Sequence, residues 1–263
     1  MAVLICASLV HASPRRDFID SLQNNFIIEW CGKGPIRPQS LAECAKNNPD
    51  YTPARRLISL LAWMDSIGRI TNDKMAEALS DRYDMYKMLL TANPTAVINN
   101  EGWPLSGDPK SPLTITMYFS TTCPLCKTSY RDLHNAVTTG PLKGKAKLVS
   151  KPFVITPQNT ALTAAHELNR FHDFMIALGQ RGGRVDDNLI NAIVDSLKID
   201  KKRFNALLED PKLAKRLEES TQEGRNNGVS LVPTMFISGF RYNHFLDSRW
   251  VVDAVEFMHE SRK

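Results

Sequence analysis

The spacing of apolar residues divides the chain into two textures. From residue 14 to about residue 90 they recur at helical intervals. Phe18, Leu22, Phe26 and Ile27 predict a helix over 14–30, stopped by Gly32, Gly34, Pro35 and Pro38. Leu57, Ile58, Leu60, Leu61, Met64 and Ile67 predict a second helix, with Pro53 in its first turn and Gly68 ending it. Thr71 or Asn72 caps a third that runs to about Leu90 and buries Met75, Leu79, Tyr83 and Tyr86. The stretch 93–112, rich in Pro and Gly, then reads as a linker. This predicts an all-helical N-terminal domain over 14–92.

At Leu113 the texture changes. Leu113–Phe119 is a short, continuous run of β-branched and aromatic residues, as a buried strand requires. A helical stretch follows to about Val137, and a second strand is expected over 146–155, interrupted near Pro152. Residues 160–223 return to helical periodicity, with breaks at Gly182-Gly183 and near Asp210-Pro211. Val229–Ile237 reads as a third strand despite Pro233, and Gly239-Phe240 turns toward a short last strand. Trp250, Val251, Val255 and Met258 mark an amphipathic C-terminal helix. The second domain, 113–263, is therefore expected to be α/β with a helical insertion at about 160–223.

Composition narrows the function classes. Of 263 residues, 43% are hydrophobic and 23% charged, which leaves ample material for a core. The net charge of +5 is spread over short groups such as Arg15-Arg16, Arg55-Arg56 and Lys201-Lys202-Arg203. A nucleic-acid protein would carry a denser basic stripe with interleaved aromatics, so no nucleic-acid partner is expected. Residues 1–12 are almost wholly apolar and end in Val10-His11-Ala12, which reads as a secretory signal peptide lacking its positive n-region. An apolar strand or helical turn is the alternative for that segment. With Cys6 removed in the signal, four cysteines remain: Cys31, Cys44, Cys123 and Cys126. An even count suits an oxidising compartment, periplasmic or otherwise exported.

Cys123-Pro124-Leu125-Cys126 carries the chemistry. Two cysteines three apart, after a strand and opening a helix, can close a small disulfide ring. The free amides and positive dipole end of the helix favour a thiolate, the form that attacks disulfides. Pro124 fits the first helical turn, where its missing N–H costs nothing. Cys123 precedes the helix body and is expected to be the nucleophile; Cys126, one turn in, is expected to resolve the mixed disulfide. A structural zinc site would need a second close ligand pair, and a haem attachment would need His in place of Lys127, so neither metal nor cofactor is expected. Val232-Pro233-Thr234 is the second signal. A proline entering a strand is normally a misfit, and a cis peptide there would leave the preceding backbone free to pair with an extended substrate. Cys31 and Cys44 flank an irregular loop and are expected to form a structural disulfide, the alternative being two buried free thiols. His134, His166, His172, His244 and His259 are scattered and expected on surfaces.

Phe119-Ser-Thr-Thr-Cys-Pro-Leu-Cys126 and Val232-Pro-Thr-Met-Phe-Ile-Ser-Gly239 resemble the two signatures of thioredoxin-fold proteins, and the helical block between them resembles the insertion of the DsbA-like branch. The resemblance spans about residues 106–263. It implies a central sheet flanked by helices, a cis peptide between Val232 and Pro233, and a substrate groove facing Cys123. Two positions depart from the branch: Leu125 stands where strong oxidants have His, and Met117 where many members bury an acid. Residues 30–90, with Trp30-Cys31, Ser40–Cys44 and Arg82-Tyr83, resemble the small helical domain of CcmH-like proteins without its close cysteine pair. The expected function is disulfide exchange with cysteine-containing protein substrates, recharged by a membrane or soluble redox partner. The N-terminal helices would serve a partner or a homo-oligomer. A binding or chaperone module on the same scaffold, or a cytochrome c maturation thiol reductase, is the alternative.

Overall fold

The computed structural model describes residues 14–32, 37–181 and 184–261. The expected signal peptide, Cys6, Gly34, Pro35 and Gly182-Gly183 lie outside them. The chain forms two compact units that divide between Leu90 and Thr91.

The first unit contains α1 (Pro14–Asn25), a two-residue ladder of β1 (Ile27–Ile28) with β2 (Gln39–Ser40), and α2 (Leu41–Asn47), α3 (Thr52–Ile67) and α4 (Asn72–Thr91). The end of α4 falls one residue past the unit boundary. Gly68 ends α3 in the left-handed conformation that glycine adopts without a Cβ penalty. α2 was not foreseen. Its start is set by a capping box in which the Ser40 hydroxyl accepts from Glu43 N–H and the Glu43 carboxylate accepts from Ser40 N–H. Leu41, Leu57, Leu61, Met75, Leu79, Met85 and Tyr86 are all buried. Cys31 and Cys44 are disulfide-bonded, their Cα atoms 5.7 Å apart, within the reach of such a bridge.

The second unit is built on a five-stranded sheet of β3 (Leu105–Ser106), β4 (Leu113–Phe119), β5 (Ala146–Pro152), β6 (Thr234–Ile237) and β7 (Phe240–Tyr242), in the order β3-β5-β4-β6-β7. β4 runs parallel to β5, and the other pairs are antiparallel. α5 (Pro124–Thr138) makes the β4-to-β5 crossover, and α6 (Pro157–Glu167), α7 (Phe171–Arg181), α8 (Asp187–Ser196), α9 (Lys201–Leu208) and α10 (Pro211–Asn226) lie between β5 and β6. The C-terminal α11 (Ser248–Ser261) buries Val251, Val255 and Met258. β4 sits mid-sheet with every residue but Thr114 buried, so its two faces carry different cores. Phe119 meets Phe171 of α7 on one face, while Tyr118 meets Phe153 and Phe236 on the other. Gly224 lets α10 close on that second face, since a Cβ there would stand 3.0 Å from the Phe153 ring.

The stretch 93–112, expected as a linker, belongs to the second unit. β3 pairs with β5 at the sheet edge, Ala96 N–H donates to Gly239 O at 3.2 Å, and Ser150 N–H donates to Pro104 O at 3.0 Å. Its prolines shape a segment that threads along the sheet rather than away from it. β6 is shorter than the expected 229–237, because Pro233 has no N–H to give a ladder.

Candidate active site

The site forms where β4 hands over to α5. Cys123 is the N-cap residue, in extended conformation (φ −86°, ψ 115°), and Pro124 occupies the first helical turn. This places the Cys123 sulfur over the unpaired first-turn amides, and Cys126 N–H donates to Cys123 Sγ at 3.1 Å. Ser120 O accepts from Cys123 N–H at 3.1 Å and closes the turn below. The two sulfurs are unbonded; Cys123 is half-buried and Cys126 buried. Burial pushes the Cys126 thiol well above the ordinary cysteine range, and its hydrogen bond to the Cys123 sulfur adds to the shift.

From the turn that enters β6, the strand beside β4, Val232 O lies 3.7 Å from Cys123 Sγ. The Val232–Pro233 peptide is cis. The Thr234 hydroxyl donates to Leu231 O at 2.7 Å and holds the turn that presents this carbonyl. Cys123, Pro124, Leu125, Cys126, Val232, Pro233 and Thr234, separated by more than a hundred residues in sequence, thus form one locale. Leu125 and Leu231 are exposed beside it, at 46% and 77%. Cys31 and Cys44 belong to the first unit.

Sequence reading missed one support of this site and one buried ion pair elsewhere on the sheet. Asn159, fully buried in α6, accepts from Thr121 N–H and the Thr121 hydroxyl, each at 3.0 Å. Its amide donates to Phe153 O at 3.1 Å and Val154 O at 2.9 Å. It therefore ties the residues before Cys123 to the end of β5; the only local signal was Thr156-Pro157 opening a helix. On the opposite face Lys151, 1% exposed, is bonded to Glu223 of α10 and to Asn99 O, and Tyr118 donates to the same carboxylate at 2.5 Å. Burial lowers the Lys151 pKa, an effect that the Glu223 carboxylate opposes.

The histidines correct an expectation. His134 of α5 and His172 of α7 stack with ring centroids 3.6 Å apart, both partly buried. His134 Nδ1 is 2.8 Å from Ser106 Oγ, and His172 Nδ1 is 3.1 Å from the Tyr130 hydroxyl. Burial, with the second imidazole adding to it, lowers the His134 pKa to about 4. His166, expected on the surface, is also partly buried and bonded to Gly102 O at 2.9 Å. Among the described residues no group of three or more His, Cys, Asp or Glu side chains is arranged to hold a metal ion.

A family model described as thioredoxin matches residues 99–255, which takes in the cysteine pair, the Val232–Thr234 turn and all five sheet strands. The chain belongs to the thioredoxin family. Solved structures share this thioredoxin fold at low identity. A thioredoxin-like oxidoreductase from Silicibacter pomeroyi DSS-3 matches with a TM-score of 0.53 and 19% identity, over 67% of this chain and 97% of that one. Oxidised BdbD from Bacillus subtilis gives 0.54 and 17%, over 63% and 97%. The thiol-disulfide exchange protein alpha-DsbA2 from Wolbachia pipientis gives 0.51 and 21%, over 67% and 93%. No curated protein sequence matches the chain. The thioredoxin match does not reach residues 14–90, and the CcmH-like resemblance gains no support from it.

Proposed function

We propose that this thioredoxin-family chain is an exported thiol–disulfide oxidoreductase that exchanges disulfides with cysteine-containing proteins through Cys123-Pro124-Leu125-Cys126. Cys123 is the nucleophile. Its thiolate attacks one sulfur of a substrate disulfide, the other sulfur leaves as thiolate, and a mixed disulfide forms. Cys126 then attacks Cys123 Sγ, its proton passing to the substrate sulfur that leaves. This releases the reduced substrate and leaves Cys123–Cys126 oxidised. Run backwards, the oxidised pair accepts a substrate thiolate and leaves the substrate with a disulfide. The direction follows the potential of the pair against that of the substrate and of the redox partner that restores it.

The reading rests on one observation above all: Cys123 is the reachable sulfur, bonded by a first-turn amide, while Cys126 is sealed behind it. The raised Cys126 thiol keeps the second step waiting until the first has placed a sulfur on Cys123. Val232, with its carbonyl facing that sulfur, and the flanking Pro233 and Thr234 serve as the edge on which an extended substrate lies. Leu125 replaces the His of strong oxidants, so the pair should lie between the potentials of a dedicated oxidant, about −120 mV, and a dedicated reductant, about −270 mV. Export is supported by the apolar residues 1–12 and by the Cys31–Cys44 bridge, since such bridges persist in oxidising compartments. Among the described residues no helix is long and apolar enough to cross a membrane. The stapled N-terminal unit is the surface for a partner or a second copy.

The test is catalysed exchange on a disulfide-containing protein with the chain at a small fraction of the substrate concentration. Wild type should turn over many times and Cys123→Ser not at all. Equal rates in the two would overturn the assignment.

A further inference from the structure

Beside Cys123 a cleft of about 300 Å³ opens between α5 and α7. Pro124, Lys127 and Arg131 line one wall, at the spacing that puts residues on a single helix face. Met175, Ile176 and Gly179 line the other, with Met175 buried as its apolar floor. The wall from Pro124 to Arg131 is eight residues of helix, a rise of about 10 Å, or the reach of about three extended residues. It begins at the residue next to Cys123, so a polypeptide whose cysteine meets Cys123 has its flanking residues at the mouth of the cleft.

The charge in the cleft has one sign. No acidic side chain lines it. Lys127 has no carboxylate within ion-pair distance among the described residues, and the exposed Arg131 meets only its half-buried neighbour Asp132, at 2.9 Å, whose other oxygen accepts from Ser248. Ammonium and guanidinium groups around an apolar floor suit a carboxylate carried on a short aliphatic stem.

We infer that this cleft is a substrate subsite that selects polypeptides with an acidic side chain about two to four residues from the reacting cysteine. This rests on the exchange chemistry assigned to Cys123 and goes beyond it by naming a substrate class. The carboxylate settles between Lys127 and Arg131 while its methylenes lie on Met175 and Ile176. The contact steers encounter and fixes which way the substrate chain runs from the sulfur.

The experiment uses the full chain in the Cys126→Ser background, so that only the first step occurs. Three peptides are compared, each carrying one cysteine activated as a mixed disulfide. They differ only in having Glu, Gln or Lys three residues from it. Adduct formation on Cys123 is followed by mass. The Glu peptide should react about tenfold faster than the Lys peptide at low salt, with the ratio shrinking as salt screens the contact. Adding Lys127→Glu and Arg131→Glu together should invert the order. Adding Lys212→Glu and Lys215→Glu, an equal change of net charge on α10, should preserve it. Equal rates for all three peptides, or a preference lost equally in both charge-swapped variants, overturns the subsite while leaving the chemistry of Cys123 intact. Failure of every peptide to form an adduct overturns the exchange function instead.

Discussion

The two cysteine pairs of this chain use the same element in opposite ways. Cys31 and Cys44 stand 13 residues apart, and Cys44 is wholly buried inside α2. Cys123 and Cys126 stand three apart at the mouth of α5, one half-exposed and one sealed. Closing a loop of about 14 residues removes about 3 kcal/mol of unfolded-chain entropy in the simplest account, whereas a four-residue ring constrains little. What a short ring offers is chemistry, because its sulfurs sit where a helix presents free amides. On the proposed exchange chemistry, sulfur position relative to a helix start, more than the presence of a disulfide, is what separates a reactive pair from a staple.

The largest effect that would break this comparison is at Cys123. Cys123→Ser should lower exchange by several orders of magnitude, while Cys31→Ala with Cys44→Ala should leave the exchange rate within about twofold, since loss of a staple does not touch the proposed nucleophile. Turnover of a disulfide protein by the three chains settles it; a comparable loss in the second variant would make the first pair a participant rather than a staple.

The next effect is on stability. Cys31→Ala with Cys44→Ala should cost the first unit about 3 kcal/mol in denaturant unfolding. A cost well below 1 kcal/mol would show that the capping box of α2 and the helical core hold that unit without the bridge.

Asn159→Ala sharpens the other side. It strips partners from Thr121 N–H and from the carbonyls of Phe153 and Val154, all next to the turn that carries Cys123. Leaving such buried groups unpaired should cost about 2–3 kcal/mol in unfolding free energy. It should also slow exchange through a misplaced Cys123, read as a fall in kcat. An unchanged kcat would restrict Asn159 to a purely structural role.

The smallest effect is on acidity. His134 and His172 titrate lower in the folded state than the ordinary 6.5, His134 at about 4. The unfolded chain therefore binds more protons between those values, and the stability they contribute is full above about pH 6.5 and declines as pH falls toward 4. Both rings are partly exposed and screened by solvent, which reduces the effect, so the loss should be on the order of 1–2 kcal/mol, or about 3–6 °C in Tm. His134→Gln should flatten that slope; an unaltered slope would mean that carboxylates elsewhere dominate the acid limb.

What was legible in the sequence was whatever depends on neighbours along the chain. β4, the helix start at Cys123-Pro124, the end of α3 at Gly68 and the composition of the Val232–Thr234 turn follow from local pattern and could be placed to within a residue or two. The second class depends on packing that a linear pattern does not record. β3 has two residues and exists because β5 offers it an edge, so its Pro-rich surroundings read as a linker. α2 has only seven residues, too few for a periodicity to stand out beside Gly32 and Pro38. His134 and His172 meet only because α5 packs on α7, and Asn159 reaches Thr121 across 38 positions. Nothing local to Lys151 marks it for burial, and only the fold brings Glu223 of α10 to it. The position of Cys123 and Cys126 at a helix start was thus readable and the contacts around them were not, since the helix start is local and those contacts are tertiary.

The most direct test of the division of labour between Cys123 and Cys126 is to identify which variant holds a substrate. Incubate Cys126→Ser and Cys123→Ser separately with a disulfide-containing protein, quench in acid, and determine by mass the site and yield of mixed disulfide. The account predicts a near-stoichiometric adduct on Cys123 in the Cys126→Ser chain and essentially none in the other, because Cys126 is buried with its thiol held protonated. An adduct on Cys126 in the Cys123→Ser chain, formed at a comparable rate, would contradict it.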